Sequence, residues 1–148
     1  MNKAPFFSII IPTLNEERYL PALLACLQDQ TFTNFEILVV DGQSKDKTQA
    51  IAQKSAKTRL IVSDKRGVAH QRNLGGFQAK GKYLIFMDAD TQIPHYFLEG
   101  IKYRLVVKSA DLFTTWISQD GTNKADRFIV VMMNLLLESN RLWGFHQV

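Results

Sequence analysis

The sequence has a single cysteine, Cys26, among its 148 residues. That excludes an intrachain disulfide, a thiolate zinc cluster and a Cys-x-x-Cys redox pair, and it makes a reducing, cytoplasmic setting the default expectation. Long hydrophobic runs are also missing. The longest, Phe128 to Met133 followed by Leu135 to Leu137, is about half of the roughly 20 residues a membrane-spanning helix needs. A buried helix explains it better than a surface-lying one. The opening residues Met1 to Pro5 lead into an apolar stretch ended by Pro12, without the apolar core and cleavage site of a secretory leader. Glycine fingerprints for a dinucleotide, a phosphate-binding P-loop and a Gly-x-Ser-x-Gly elbow are absent. The three histidines, His70, His95 and His146, share no metal-ligand spacing and read as solvated or packed side chains.

Acid is scarce in the middle of the chain. Lys47, Lys54, Lys57, Arg59, Lys65, Arg66, Arg72, Lys80 and Lys82 face only Asp64 there, within a net charge of +4. Such a region attracts anions. Nucleic acid is not the expected partner, because neither helix-turn-helix nor zinc-finger spacing occurs and no strand interleaves aromatic with basic residues. Hydrophobic residues at 46% and charged residues at 22% describe an ordinary globular chain, long enough for one core-bearing domain over 1–148.

Four short apolar runs, Phe6 to Ile11, Ile37 to Val40, Leu60 to Val62 and Tyr83 to Met87, read as buried strands. Helical spacing separates them. Leu20, Leu23, Leu24 and Leu27 predict a helix over 15–30 with Glu16 and Glu17 in its first turn. Asp46, with Gln49 three residues on, predicts a capped second helix packing through Ile51, Ala52, Ser55 and Ala56. A third is expected over 68–79 with Gly81 as its stop. Further on, the pattern suggests a helix over 95–108, a strand over 112–117 and a helix over 124–137. Regular alternation implies an α/β fold, a Rossmann-like, mostly parallel sheet flanked by helices, with right-handed crossovers.

In such a sheet, ligands bind beyond the carboxyl ends of the strands. The residues there are Pro12-Thr13-Leu14-Asn15-Glu16, Asp41-Gly42-Gln43-Ser44, Ser63-Asp64-Lys65-Arg66-Gly67 and Asp88-Ala89-Asp90. Burial of two carboxylates at a strand end is costly without a counter-charge, which a divalent cation supplies. Hard oxygen ligands completed by phosphate and water suit Mg²⁺ or Mn²⁺. Alone, an Asp-x-Asp triplet more often marks a turn or cap. Asp41 reads as a hydrogen-bond acceptor for a base or ribose, or as a loop cap. Arg66 and Arg72 flank the start of the third helix, whose N-terminal amides favour a diphosphate, although either guanidinium can pair with Asp64 or Asp41. Thr13, Asn15 and Glu16 are secondary candidates, because a helix cap and first turn explains each singly. Trp116 and Trp143 can stack on a sugar or base, but tryptophan more commonly packs in a core.

Four motifs in order resemble the family 2 glycosyltransferases of GT-A fold. They are Phe7-Ser8-Ile9-Ile10-Ile11-Pro12-Thr13-Leu14-Asn15-Glu16-Glu17; Val39-Val40-Asp41-Gly42-Gln43-Ser44 with Asp46 and Thr48; Gly67-x-Ala69-x-x-Arg72-Asn73-x-Gly75; and Gly81-x-Tyr83-Leu84-x-Phe86-x-Asp88-Ala89-Asp90. The resemblance covers 6–98, the nucleotide-sugar-binding half, with 99–148 as the start of an acceptor-side half that ends incomplete. It implies transfer of a sugar from a nucleoside diphosphate sugar, UDP-sugar favoured over GDP- or TDP-sugar, to an acceptor hydroxyl with inversion. Thr13, Glu16 and Asp41 are then expected at base and ribose, Arg72 near the diphosphate, and Asp88 and Asp90 as the metal-binding pair. Pro12, Asn15, Ser44, Arg66 and Asn73 complete the expected donor contacts. No general base is assigned, since Asp126 and Glu138 sit in no family motif. The acceptor is expected to be a lipid or a saccharide, and peripheral placement at the cytoplasmic membrane face accompanies it. Two alternatives differ: a donor-binding module without transfer, and a haloacid dehalogenase-like phosphohydrolase suggested by Asp88-Ala89-Asp90-Thr91. The phosphohydrolase motif normally opens its fold, however, and three strands precede it here. A sugar nucleotidyltransferase would need a glycine-rich, basic opening loop that is lacking.

Overall fold

The computed structural model describes residues 4–108. The strand expected over 112–117, the helix over 124–137, Trp116, Trp143, His146, Asp126 and Glu138 lie outside them. Strands β1 (Phe7–Thr13), β2 (Phe35–Asp41), β3 (Thr58–Val62) and β4 (Tyr83–Phe86) alternate with helices α1 (Leu20–Gln28), α2 (Thr48–Lys54), α3 (Val68–Gln78) and α4 (Phe97–Lys108). All strand pairs are parallel, in the order β3-β2-β1-β4. The expected parallel α/β sheet flanked by helices is therefore the observed fold.

Every residue of β1 is buried, because it has a strand on each side and covered faces above and below. On one face Ile10, Leu38, Val40 and Ile61 pack with Leu74 of α3. The alternate residues Ile9, Ile11, Ile37 and Val39 belong to the other face and are likewise fully buried. Gly75 lets α3 approach: a Cβ there would stand 2.5 Å from Ile10 Cγ2. The edge strands depart from the expectation of complete burial. Leu84 and Phe86 of β4 and Val62 of β3 are exposed; among the described residues these two strands each have a neighbour on one side only.

Two helix boundaries and one cap are corrected. The first helix begins at Leu20, not at 15, because Asn15 has a positive φ of 58° and Pro21 sits in the first turn. Glu16 and Glu17 thus precede the helix. At α2 the reciprocal cap does not form: Asp46 accepts from the Thr48 N–H at 3.0 Å, but Gln49 turns to Asp41 instead. Of the four residues expected to form α2's packing face, Ala52 is fully buried, and Thr48 joins it. Gly81 does not stop α3, which already ends at Gln78 with Ala79 extended. Its lack of a side chain serves a close approach to β1, where a Cβ would lie 2.5 Å from the Ser8 nitrogen.

Candidate donor site at the strand ends

The β1–β2 register sets Thr13 beside Asp41 at the carboxyl ends of the two most buried strands. Asp41 is fully buried. Its Oδ1 accepts from the hydroxyls of Thr13 (3.2 Å) and Ser44, and its Oδ2 accepts from the Ser44 N–H (2.9 Å) and from Gln49 Nε2 (2.7 Å). Four donors fill both oxygens, which is how a buried carboxylate avoids an unsatisfied acceptor.

The loop leaving β1 and the loop leaving β2 are laced by side chains. The Asn15 N–H donates to Ser44 Oγ, the Glu16 N–H to Thr48 Oγ1 and the Glu17 N–H to Asp46 Oδ2, at 2.8, 2.8 and 3.0 Å. In return the Lys45 N–H donates to Asn15 Oδ1 and the Lys47 N–H to Glu17 Oε2. Short polar side chains replace the backbone ladder where strands have ended, and the left-handed φ of Asn15 and Gln43 turns both loops. Although burial opposes it, hydrogen bonds from Thr48 and Glu17 hold the Asp46 carboxyl below its usual range.

Beyond β4, Met87 and Ala89 are buried while Asp88 and Asp90 point outward and are exposed. The premise that this pair is buried is thus corrected: the side chains leave the strand end for solvent, and Arg72 Nη2 meets Asp88 Oδ1 at 2.8 Å. Arg72 chooses neither Asp64 nor Asp41, and Asp64 pairs with His70 at 3.0 Å. The Arg72 Nε is buried without a hydrogen-bond partner. Glu16 faces the same region. Its carboxyl is pushed up first by burial and then by the negative charges of Asp90, Asp46 and Asp88. Negative charge from the loops after β2 and β4 therefore bears on Glu16 at the rim, and a cation would relieve it. Among the described residues no preformed group of three ligands exists. Asp88 and Asp90 can supply only part of a coordination sphere, as suits an ion completed by phosphate oxygens and water.

Of the other expected contacts, Pro12 is buried within β1. Arg66 is exposed before α3 and makes no ion pair among the described residues. Asn73 is exposed on α3. Thr48, Gln49 and Gln71 hold the site together but were not among the residues expected in it. Gln71 falls in the helical stripe 71, 74, 75 and 78, and that spacing could have flagged a polar side chain aimed at the sheet. Cys26 is partly buried and free, and His95 Nδ1 lies 2.9 Å from the Asp29 carbonyl oxygen. No helix among the described residues is long and apolar enough to cross a membrane.

The family model described as Glycosyl transferase family 2 matches residues 8–142. A PGL/p-HBAD biosynthesis glycosyltransferase of Mycobacterium tuberculosis is 43% identical over 95 residues, 61% of this chain and 37% of that protein. The poly(ribitol-phosphate) beta-N-acetylglucosaminyltransferase TarS of Staphylococcus aureus is 37% identical over 94 residues, 59% of this chain and 16% of that one. The crystal structure of TarS superposes with a TM-score of 0.70 at 31% identity, over 80% of this chain and 23% of the other. Its residues 1–349 in complex with UDP-GlcNAc give 0.65 at 31%, over 80% of this chain and 37% of that one. A mannosyltransferase of Pyrobaculum calidifontis in complex with GDP-Man and Mn²⁺ gives 0.56 at 27%, over 63% and 30%. The chain spans well under half the length of each of these relatives.

Proposed function

The chain belongs to glycosyl transferase family 2, and from that premise we propose that residues 6–98 bind a nucleoside diphosphate sugar and that the protein transfers its sugar to an acceptor hydroxyl with inversion. The observation that carries this reading is the convergence of Thr13 with Asp41, Glu16 and the Arg72–Asp88 pair at the carboxyl ends of β1, β2 and β4. UDP-sugar is favoured because the TarS complex with UDP-GlcNAc is the better superposition, ahead of the GDP-Man complex. GDP- and TDP-sugars are the alternatives.

In this reading Thr13, Asp41 and Ser44 form the polar floor for base and ribose, bounded by Pro12, Asn15 and Glu16. Arg72 brings a guanidinium whose Nε lacks a partner to the diphosphate, with Arg66 and Asn73 along the same helix end. Asp88 and Asp90 would hold Mg²⁺ or Mn²⁺, whose charge, when bound, offsets that of the leaving diphosphate. Arg72 then exchanges part of its contact with Asp88 for phosphate oxygens. Inversion requires the acceptor hydroxyl to approach the anomeric carbon opposite the diphosphate, with a base to take its proton. A lipid or saccharide acceptor, met at the cytoplasmic membrane face and engaged through 99–148, completes the proposal.

Titration calorimetry of UDP, GDP and TDP, with and without Mn²⁺, tests it. The expected result is binding of UDP that requires the metal. A folded sample that binds none of the three refutes the reading.

A further inference from the structure

We propose that Gln71 is a positioning residue of the donor site: its amide clamps the ends of β1 and β2 and so sets where Thr13, Asp41 and Arg72 stand. This rests on the donor-site reading above and deepens it. Gln71 is almost wholly buried in α3, yet it is not packing filler. Its Nε2 donates to the Thr13 carbonyl at 2.8 Å and to the Val40 carbonyl at 2.6 Å. Both partners are obligate acceptors, so the amide nitrogen must face them, and both of its N–H groups are used.

The two carbonyls belong to adjacent strands. Thr13 is the last residue of β1, and Val40 directly precedes Asp41. The Gly42 N–H donates to the same Thr13 carbonyl at 2.8 Å, so the Gln71 side chain braces the last backbone rung between the two strands from the helix side, where loops begin. Its own neighbour in the chain is Arg72, whose guanidinium holds Asp88. Three strand ends are thus tied through two consecutive residues of one helix. Gly42 completes the arrangement: a Cβ there would lie 3.2 Å from both Gln71 Nε2 and Gln71 Oε1. Its backbone is not in the left-handed region, so what glycine supplies at 42 is room for the clamp.

A clamp that only stabilised the fold would lower stability without altering the affinity of the folded protein. The test compares UDP binding in the presence of Mn²⁺, by calorimetry on the full chain at a temperature where each variant is folded. Gln71→Met keeps the bulk and removes both donors. Its dissociation constant for UDP is expected to rise about fivefold, the equivalent of one net hydrogen bond. Ile9→Val, a mild core change in β1 remote from the rim, should lose stability and leave the affinity unaltered. Gly42→Ala should weaken UDP severalfold in the wild-type background and have no effect once Gln71→Ala has vacated the space, a non-additivity that only contact through Gln71 produces. If Gln71→Met does not fold, Gly42→Ala in the otherwise wild-type chain decides: its Cβ presses on the Gln71 amide, and an unaltered affinity for UDP overturns the clamp.

Wild-type protein that binds UDP while Gln71→Met binds it equally well overturns the clamp and spares the donor site. Additive effects of Gly42→Ala and Gln71→Ala do the same. A wild-type protein silent to UDP, GDP and TDP refutes the donor site itself, and the role of Gln71 falls with it.

Discussion

Asp41 offers a perturbation whose size follows from the kinds of donor around it. Two of its four partners, Thr13 Oγ1 and Ser44 Oγ, are hydroxyls meeting Oδ1, and two, the Ser44 N–H and Gln49 Nε2, are fixed donors meeting Oδ2. Hydroxyls can reverse and accept, whereas the N–H donors cannot. Asp41→Asn therefore fits with its nitrogen in place of Oδ1, and all four contacts survive as neutral hydrogen bonds. The loss is the charge assistance of four bonds, offset by the easier burial of a neutral group, and should come to about 1–2 kcal/mol. Asp41→Ala leaves two obligate donors stranded at about 1–3 kcal/mol each, with the hydroxyls partly unpaired as well, so about 4 kcal/mol is expected. Urea unfolding with a common slope measures both. If Asn proves as damaging as Ala, the assignment of reversible and fixed donors around Asp41 is wrong.

Four other outcomes are expected. Glu16→Gln should stabilise the protein by a few tenths of a kcal/mol near neutral pH, because the folded environment raises the Glu16 carboxyl and disfavours its charge. A raised carboxyl contributes stability at low pH that is lost as pH rises through it, so the advantage of the variant should vanish in acid thermal scans; an equal gain at every pH would show that repulsion is not the cause. Gly81→Ala must force a Cβ against backbone atoms, 2.5 Å from Ser8 N and 2.7 Å from the Phe7 carbonyl carbon, and should cost at least about 3 kcal/mol in chemical denaturation. Gly100→Ala, with open space around its Cβ, is the contrasting neutral or mildly stabilising helix variant. Asp90→Asn should abolish metal-dependent UDP binding with little change in melting temperature, since the side chain is exposed; falling stability with binding retained would assign it to a cap.

Much of the fold was legible because the physics was local. β1 and β2 are buried on both faces, and burial of that kind writes unbroken apolar runs such as Ile9 to Ile11 and Ile37 to Val40. The leucines of α1 recur at helical spacing because one side of it is covered. Failures occurred where a side chain's partner lies far along the chain. Asp46 and Gln49 have the spacing of a reciprocal cap, but Asp41 attracts Gln49 and the Glu17 N–H engages Asp46. Asp88 and Asp90 follow an apolar run, yet they alternate with the buried Met87 and Ala89, so the two carboxylates take the outward positions.

The sequence by itself determined the parallel α/β class, the order of strands and helices and the family, because periodicity, composition and motif order are one-dimensional properties. Only the tertiary structure decided what each polar residue at the strand ends touches. It gave Asp41 four donors, paired Arg72 with Asp88 and aimed Gln71 at two carbonyls. The reason is physical: a buried polar group must find a partner wherever the fold supplies one, and the partners of Gln71 lie 31 and 58 residues away.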